Sequence, residues 1–195
     1  MNRIRGHIVM SSKKGRLFII SAPSGTGKST VINHMLSKRR DLVLSVSATT
    51  RPPREGEENG VSYYFVSGEE FSAMIERGDF LEYAEYIGEY YGTPKLPIYE
   101  CLGAGKDVLL EIEIQGAKQV MEREPDAVSI FIVPPDMEEL ERRLRGRGTD
   151  SEEKLAARLI RAGRELEEKD RYEYIVVNDS IPRAAAEILT IIDKK

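Results

Sequence analysis

Ser21-Ala22-Pro23-Ser24-Gly25-Thr26-Gly27-Lys28-Ser29-Thr30 is the stretch whose residue types and spacing are suited to chemistry. Glycines at 25 and 27 allow the tight backbone curve in which consecutive N–H groups converge on an anion, and Gly27-Lys28-Ser29 is the end of a Walker A motif. In that setting Lys28 bridges the β- and γ-phosphates of a nucleoside triphosphate and the Ser29 hydroxyl is a ligand for Mg²⁺. A second acidic element fits the first. Val108 to Leu110 are apolar and are followed by Glu111, the pattern of a Walker B strand whose terminal carboxylate holds the metal or its waters. Arg142, Arg143, Arg145 and Arg147 fall within six residues, and Lys154, Arg158 and Arg161 recur at helical spacing, cationic groups suited to phosphoryl oxygens.

These groups need elements to hold them. Leu17 to Ile20 predict a short buried strand before the loop. Val31, Ile32, Met35 and Leu36 predict a helix after it, so the loop sits between strand and helix, where the helix N-terminus adds positive potential. Leu42 to Ser47 predict a second strand, and the prolines and glycines between Ala48 and Gly60 predict a long polar excursion. Tyr63 to Val66 resume a strand, Ser67 with Glu70 forms a capping box before Phe71, Met74 and Ile75, and Phe80 to Tyr86 and Tyr90-Tyr91 flank a turn at Gly88. A helix beginning at Pro97, the strand ending near Glu113, a helix to Arg123 and a strand from Ser129 to Val133 follow. Asp136 caps the first arginine-bearing helix, and Thr149 or Asp150 is expected to cap the second. Their glycine-jointed connection reads as a mobile flap. Tyr174 to Val177 and a helix opened by Pro182 close the chain.

Strands alternating with helices predict an α/β fold with a parallel sheet and ligands at the carboxyl ends of its strands. A length of 195 residues, 41% hydrophobic and 32% charged, fits one domain with insertions. A net charge of −4 argues against a general nucleic-acid binder, and no apolar run reaches the ~20 residues of a membrane span. One cysteine, Cys101, fits a reducing cytoplasm. Residues 1–15 have no apolar core of a signal peptide and read as a flexible extension. His7 and His34 receive no role.

The segment from Ser45 to Phe65, with Ser47, Thr49-Thr50-Arg51, Arg54, Gly56-Glu57, Gly60, Tyr63 and Phe65, resembles the substrate-binding region of guanylate kinases. Leu81-Glu82, Tyr91-Gly92-Thr93, Glu111-Ile112-Glu113, Gln115-Gly116, Arg147-Gly148-Thr149 and Asn178-Asp179 extend the resemblance in order from about residue 17 to the C-terminus. It implies a three-layer P-loop fold with a core at 16–47, 95–136 and 166–195, a GMP-binding insertion at 48–94 and a helical lid at 137–165. It implies transfer of the ATP γ-phosphoryl group to GMP or dGMP with Mg²⁺; the composition adds the expectation of a cytoplasmic protein with no nucleic-acid or membrane partner, and monomer and homo-oligomer are both open.

By motif position, residues Ala22 to Thr30 and Asn178 would bind ATP, and Ser29 with Glu111, the latter through water, would hold the metal. Arg51, Arg54, Tyr63 and Tyr91 would hold the GMP phosphate; Ser47, Glu82, Thr93 and Glu113 would surround guanine. Lys28, Arg143, Arg147 and Arg158 would stabilise the transferring group. Thr93 and Glu113 stand where the family often has Ser and Asp. The chemistry is self-consistent, because an ionised Glu82 accepts from guanine N1–H and N2–H₂ side by side, whereas adenine would leave it unpaired. Two other classes compete. A non-catalytic module binding phosphopeptide through the acceptor site would tend to lose Lys28, Ser29 or the lid arginines; another P-loop enzyme would not need Ser47 and Glu82.

Overall fold

The computed structural model describes residues 14–86, 88–146 and 151–195. The central strand β1 (Leu17–Ser21) is buried along its whole length, which is why it reads as an unbroken apolar run. It pairs in parallel with β7 (Val108–Glu111) on one side and β8 (Val128–Val133) on the other. With β2 (Val43–Leu44) and β9 (Tyr174–Val177) these make a parallel sheet in the order β2-β7-β1-β8-β9.

Alternate side chains of β1 go to opposite layers. Phe18 and Ile20 pack with α1 (Lys28–Lys38) and α7 (Ile181–Lys194), where Met35, Ala185, Ile188 and Ile192 are fully buried. Leu17 and Ile19 face α3 (Lys95–Gly103) and α4 (Ile114–Arg123). The result is the expected three-layer α/β fold. Because every strand of the sheet is parallel, the phosphate loop and the end of β7 emerge on one edge, and the Ile20–Glu111 register sets them side by side.

A second sheet, in the order β4-β3-β6-β5, is built from β3 (Ala48–Thr49), β4 (Tyr64–Phe65), β5 (Phe80–Tyr86) and β6 (Glu89–Pro94). Helix α2 (Gly68–Glu76) covers it through Phe71, whose ring stacks on Phe80 at 4.6 Å. Helices α5 (Met137–Arg145) and α6 (Glu152–Leu166) bury Leu140, Leu144, Leu155 and Ala162 in a small core of their own.

Local expectations needed correction where tertiary partners intervene. The strand expected over Leu42–Ser47 is two residues long in the central sheet, because it is an edge strand that pairs with β7 alone. Ala48 and Thr49, expected within the polar excursion, are fully buried between β4 and β6. Helix α3 starts at Lys95 and takes Pro97 into its first turn, where a missing N–H costs nothing. Ser67 caps α2 by accepting from Glu70 N at 3.1 Å, but the Glu70 carboxylate turns to Arg77 instead of completing the box. Helix α6 is capped by Ser151, which accepts from Lys154 N, while Thr149 and Asp150, the expected caps, lie outside the described residues. Gly15, placed in the extension by sequence, is docked: its N–H donates to Leu102 O at 2.8 Å, and Arg16 pairs with Asp107.

Candidate active site

The loop between β1 and α1 turns on Gly25 and Gly27, whose φ angles of 91° and 94° are reached without strain only by glycine. Space matters as much as conformation. A β-carbon at Gly25 would stand 2.6 Å from Leu144 Cδ2 of α5, and one at Gly27 would stand 2.8 Å from Asn178 Nδ2. Gly27 is the N-cap of α1 and offers no side chain to its first turn, so those N–H groups remain available to an anion. Lys28 Nζ lies 3.2 Å from the Ile112 carbonyl and 3.3 Å from Glu113 Oε1. Ser29 Oγ donates to Glu111 Oε1 at 2.5 Å, which brings together a hydroxyl and a carboxylate separated by 82 positions.

Arg51, which is not among the residues lining the cleft described below, is fixed from several directions. Its Nη2 donates to both Glu57 oxygens, at 2.8 and 3.0 Å, and its Nη1 donates to Pro52 O at 2.7 Å. The guanidinium carbon lies 5.5 Å from the Tyr63 ring centre and 5.8 Å from that of Phe65. Glu57 also accepts from Arg54 N, so one carboxylate shapes both ends of the arginine fork, while the Arg54 side chain is exposed. The Arg51 guanidinium holds the Glu57 carboxyl below its usual range.

Glu82 is a buried carboxylate, only 6% exposed. It sits opposite Thr93 in the β5–β6 register and accepts from Thr93 Oγ1 at 2.5 Å. Burial pushes its pKa up, and the Thr93 hydroxyl and the charge of Arg123 pull it partway back. Burial likewise raises the Tyr63 phenol. A cleft of about 960 Å³ is shared by the phosphate loop, Ser47, Tyr63, Glu82, Glu111 and Glu113. Tyr91 also lines it, with its ring 6.1 Å from that of Tyr63. Two sets of groups assigned to different substrates therefore face one volume.

Helices α5 and α6 supply the remaining cations. Arg158 Nη2 donates to Ser24 Oγ at 2.8 Å, which puts it on the phosphate loop. Arg143 bonds to Glu139, to Thr26 O at 3.0 Å and to Asn178 O at 2.8 Å, on the other side of the same loop. Asn178 is buried, and its Nδ2 donates to the same Thr26 carbonyl. Arg147 lies outside the described residues. The basic face expected on α5 is largely matched by acids: Arg142 and Arg143 share Glu139, and Arg145 pairs with Glu141 and Glu152.

Comparison with known proteins bears on what this cleft belongs to. The family model described as guanylate kinase matches residues 14–195. The chain belongs to the guanylate kinase family. A guanylate kinase of Sphingopyxis alaskensis is 50% identical over 182 residues, 93% of this chain and 83% of the relative. One of Enterococcus faecalis is 52% identical over 182 residues, 93% of this chain and 89% of its own length. Among solved structures, a guanylate kinase from Anaplasma phagocytophilum superposes with a TM-score of 0.76 at 38% identity, covering 95% of this chain and 88% of that one.

Within this guanylate kinase fold, the structure brings forward residues to which motif position assigns no role. Glu57 was visible only as one letter of the Arg51–Phe65 motif. Lys118, Arg161, Arg164, Glu165 and Glu168 also line the cleft. There Arg161 stands 5.0 Å over the Tyr86 ring and pairs with Glu165, and Lys118 pairs with Glu168. The spacing of Lys154, Arg158 and Arg161 marked one helical face, but only the packing of α6 shows that Arg158 and Arg161 meet different elements.

Proposed function

We propose that the chain transfers the γ-phosphoryl group of ATP to GMP, or dGMP, giving ADP and GDP. The observation that carries this is the buried Glu82, bonded to Thr93 and lining the same cleft as Lys28 of the phosphate loop. A carboxylate in that place selects a base with adjacent N–H donors, and the loop selects a triphosphate. The phosphopeptide-binding alternative is not favoured, since relatives about 50% identical are named guanylate kinase and the chain keeps Lys28, Ser29 and Arg158.

A phosphate monoester has a second pKa near ~6, so the acceptor oxygen is already anionic at neutral pH and needs no general base. This fits a cleft lined, among the described residues, by neither His nor Cys. The protein's task is alignment and charge neutralisation. Arg51, Arg54, Tyr63 and Tyr91 would grip the GMP phosphate. Ser47, Glu82, Thr93 and Glu113 would read guanine. The loop backbone from Ala22 to Thr30 would hold the ATP phosphates, with Asn178 beneath the loop. Lys28 would leave Glu113 to meet the γ-phosphoryl group, joined by Arg158, Arg147 and Arg143. To do so Arg143 must exchange its bonds to the Thr26 and Asn178 carbonyls.

Ser29 and Glu111 fit Mg²⁺. They are hard oxygen donors in contact on the cleft wall, and this ion takes few protein ligands and completes its shell with water and phosphate. When bound there it would neutralise charge on the β- and γ-phosphates, with Glu111 acting through water. In the same reading, residues 48–94 form the GMP-binding insertion and 137–165 the lid, and the enzyme works in the cytoplasm on small molecules, without a nucleic-acid or membrane partner.

The test is a coupled ADP-release assay with GMP, dGMP, AMP, UMP and CMP. Turnover confined to GMP and dGMP is expected. No turnover with GMP would replace the enzyme by the binding module.

A further inference from the structure

Gly116 is the third residue of α4, a buried position in a helix, where glycine is the least favoured residue apart from proline. Its reason lies on another element. A β-carbon at 116 would stand 2.3 Å from Glu82 Oε2 and 2.8 Å from Glu82 Cδ. Helix α4 is not free to withdraw, so the flexible end of Glu82 would have to yield, turning into the cleft that it lines. Helix α4 is stitched to β5 by Gln119, whose Nε2 donates to Tyr83 O at 2.9 Å, and by Arg123, which donates to the Leu81 carbonyl. Glu82 is held by Thr93 from the β6 side, and its neighbours Phe80 and Leu81 are buried.

We propose that Gly116 is a specificity-determining position: its missing side chain is the space that lets Glu82 present its carboxylate to the purine. This rests on the reading of Glu82 as the guanine acceptor and assigns Gly116 a positioning role within it. The carboxylate lies against the first turn of α4, where the positive end of the helix favours its charged, doubly accepting form. Any side chain at 116 would turn the carboxylate out of the β5–β6 plane or pry α4 from β5. The first outcome removes base discrimination without touching the phosphate loop.

Steady-state kinetics of Gly116→Ala test this, with GMP varied at saturating ATP and the reverse. The expected result is a KM for GMP raised tenfold or more, a KM for ATP within twofold of the parent, and a smaller preference for GMP over AMP. Adding Glu82→Asp, which retracts the carboxylate by one methylene, should bring the GMP KM of Gly116→Ala back down. An unchanged GMP KM in Gly116→Ala overturns the proposal, as do equal rises in both KM values. If Gly116→Ala does not fold, the Glu82→Ala/Gly116→Ala pair should fold because the clash is gone; an unfolded double variant also overturns it. Glu82→Gln in the parent separates the two levels. Equal losses for GMP and ATP sink the reading of Glu82 itself, whereas a GMP-selective loss beside a silent Gly116→Ala sinks only the role of Gly116.

Discussion

Lys28 reaches two acceptors on the β7–α4 connection, and neither is needed for the fold, since the strands beside it are held by their own ladder. Lys28→Met should therefore lower kcat by ~10³-fold or more, the scale of losing a cation on the transferring group. Its thermal unfolding should stay within about 0.5 kcal/mol of the parent. Turnover retained at the parent rate would remove Lys28 from the chemistry. Glu82 gives a prediction in pH. Burial raises its pKa, so between the ordinary carboxylate value and the raised one the native state binds more protons than the unfolded chain, and stability falls as pH rises through that window. On the proposed reading of Glu82, GMP binding runs the other way, because guanine would need the ionised form. Thr93→Val removes a hydrogen bond that favours the carboxylate, so the acid limb of kcat/KM for GMP should move to higher pH while that for ATP stays put. A limb that stays in place, or moves down, contradicts the pairing.

At the scale of elements, the stability of α5 and α6 depends on their own caps and their small core. Asp136 accepts from Glu139 N at 2.7 Å, so Asp136→Ala should cost about 1 kcal/mol. Because α5 packs Leu144 against the loop at Gly25, the same variant should weaken ATP more than GMP. Equal weakening would mean that α5 does not support the donor side. The caps also show the limits of local reading. Asp136 was legible because its partner lies three residues away, at the start of a charged helix whose Met137, Leu140 and Leu144 keep helical spacing. At the start of α6, Thr149, Asp150 and Ser151 are all cap-forming residue types, so local sequence does not single out Ser151, the residue that accepts from Lys154 N. Likewise the capping box at Ser67 is half formed, since Arg77 at the far end of α2 competes for Glu70.

For the molecule as a whole, the layer between the sheet and α1/α7 is the main apolar reserve. Ile188→Ala, at a fully buried site, should destabilise by about 2–5 kcal/mol in denaturant unfolding, with KM values for both substrates unchanged in the surviving native fraction. A loss below about 1 kcal/mol would mean that α7 contributes little to the core.

What the sequence alone determined is what contiguous residues encode. The phosphate loop, the buried strands and most helix limits follow from turn chemistry and apolar period. The family likeness was legible because its motifs are short runs in fixed order. The tertiary structure decided what depends on partners far apart in the chain. It laid Glu57 across Arg51, set Ser29 on Glu111, sent Arg143 to the loop carbonyls, and brought Gly116 against Glu82. Those pairings follow from strand order and register, which no local pattern of residues specifies.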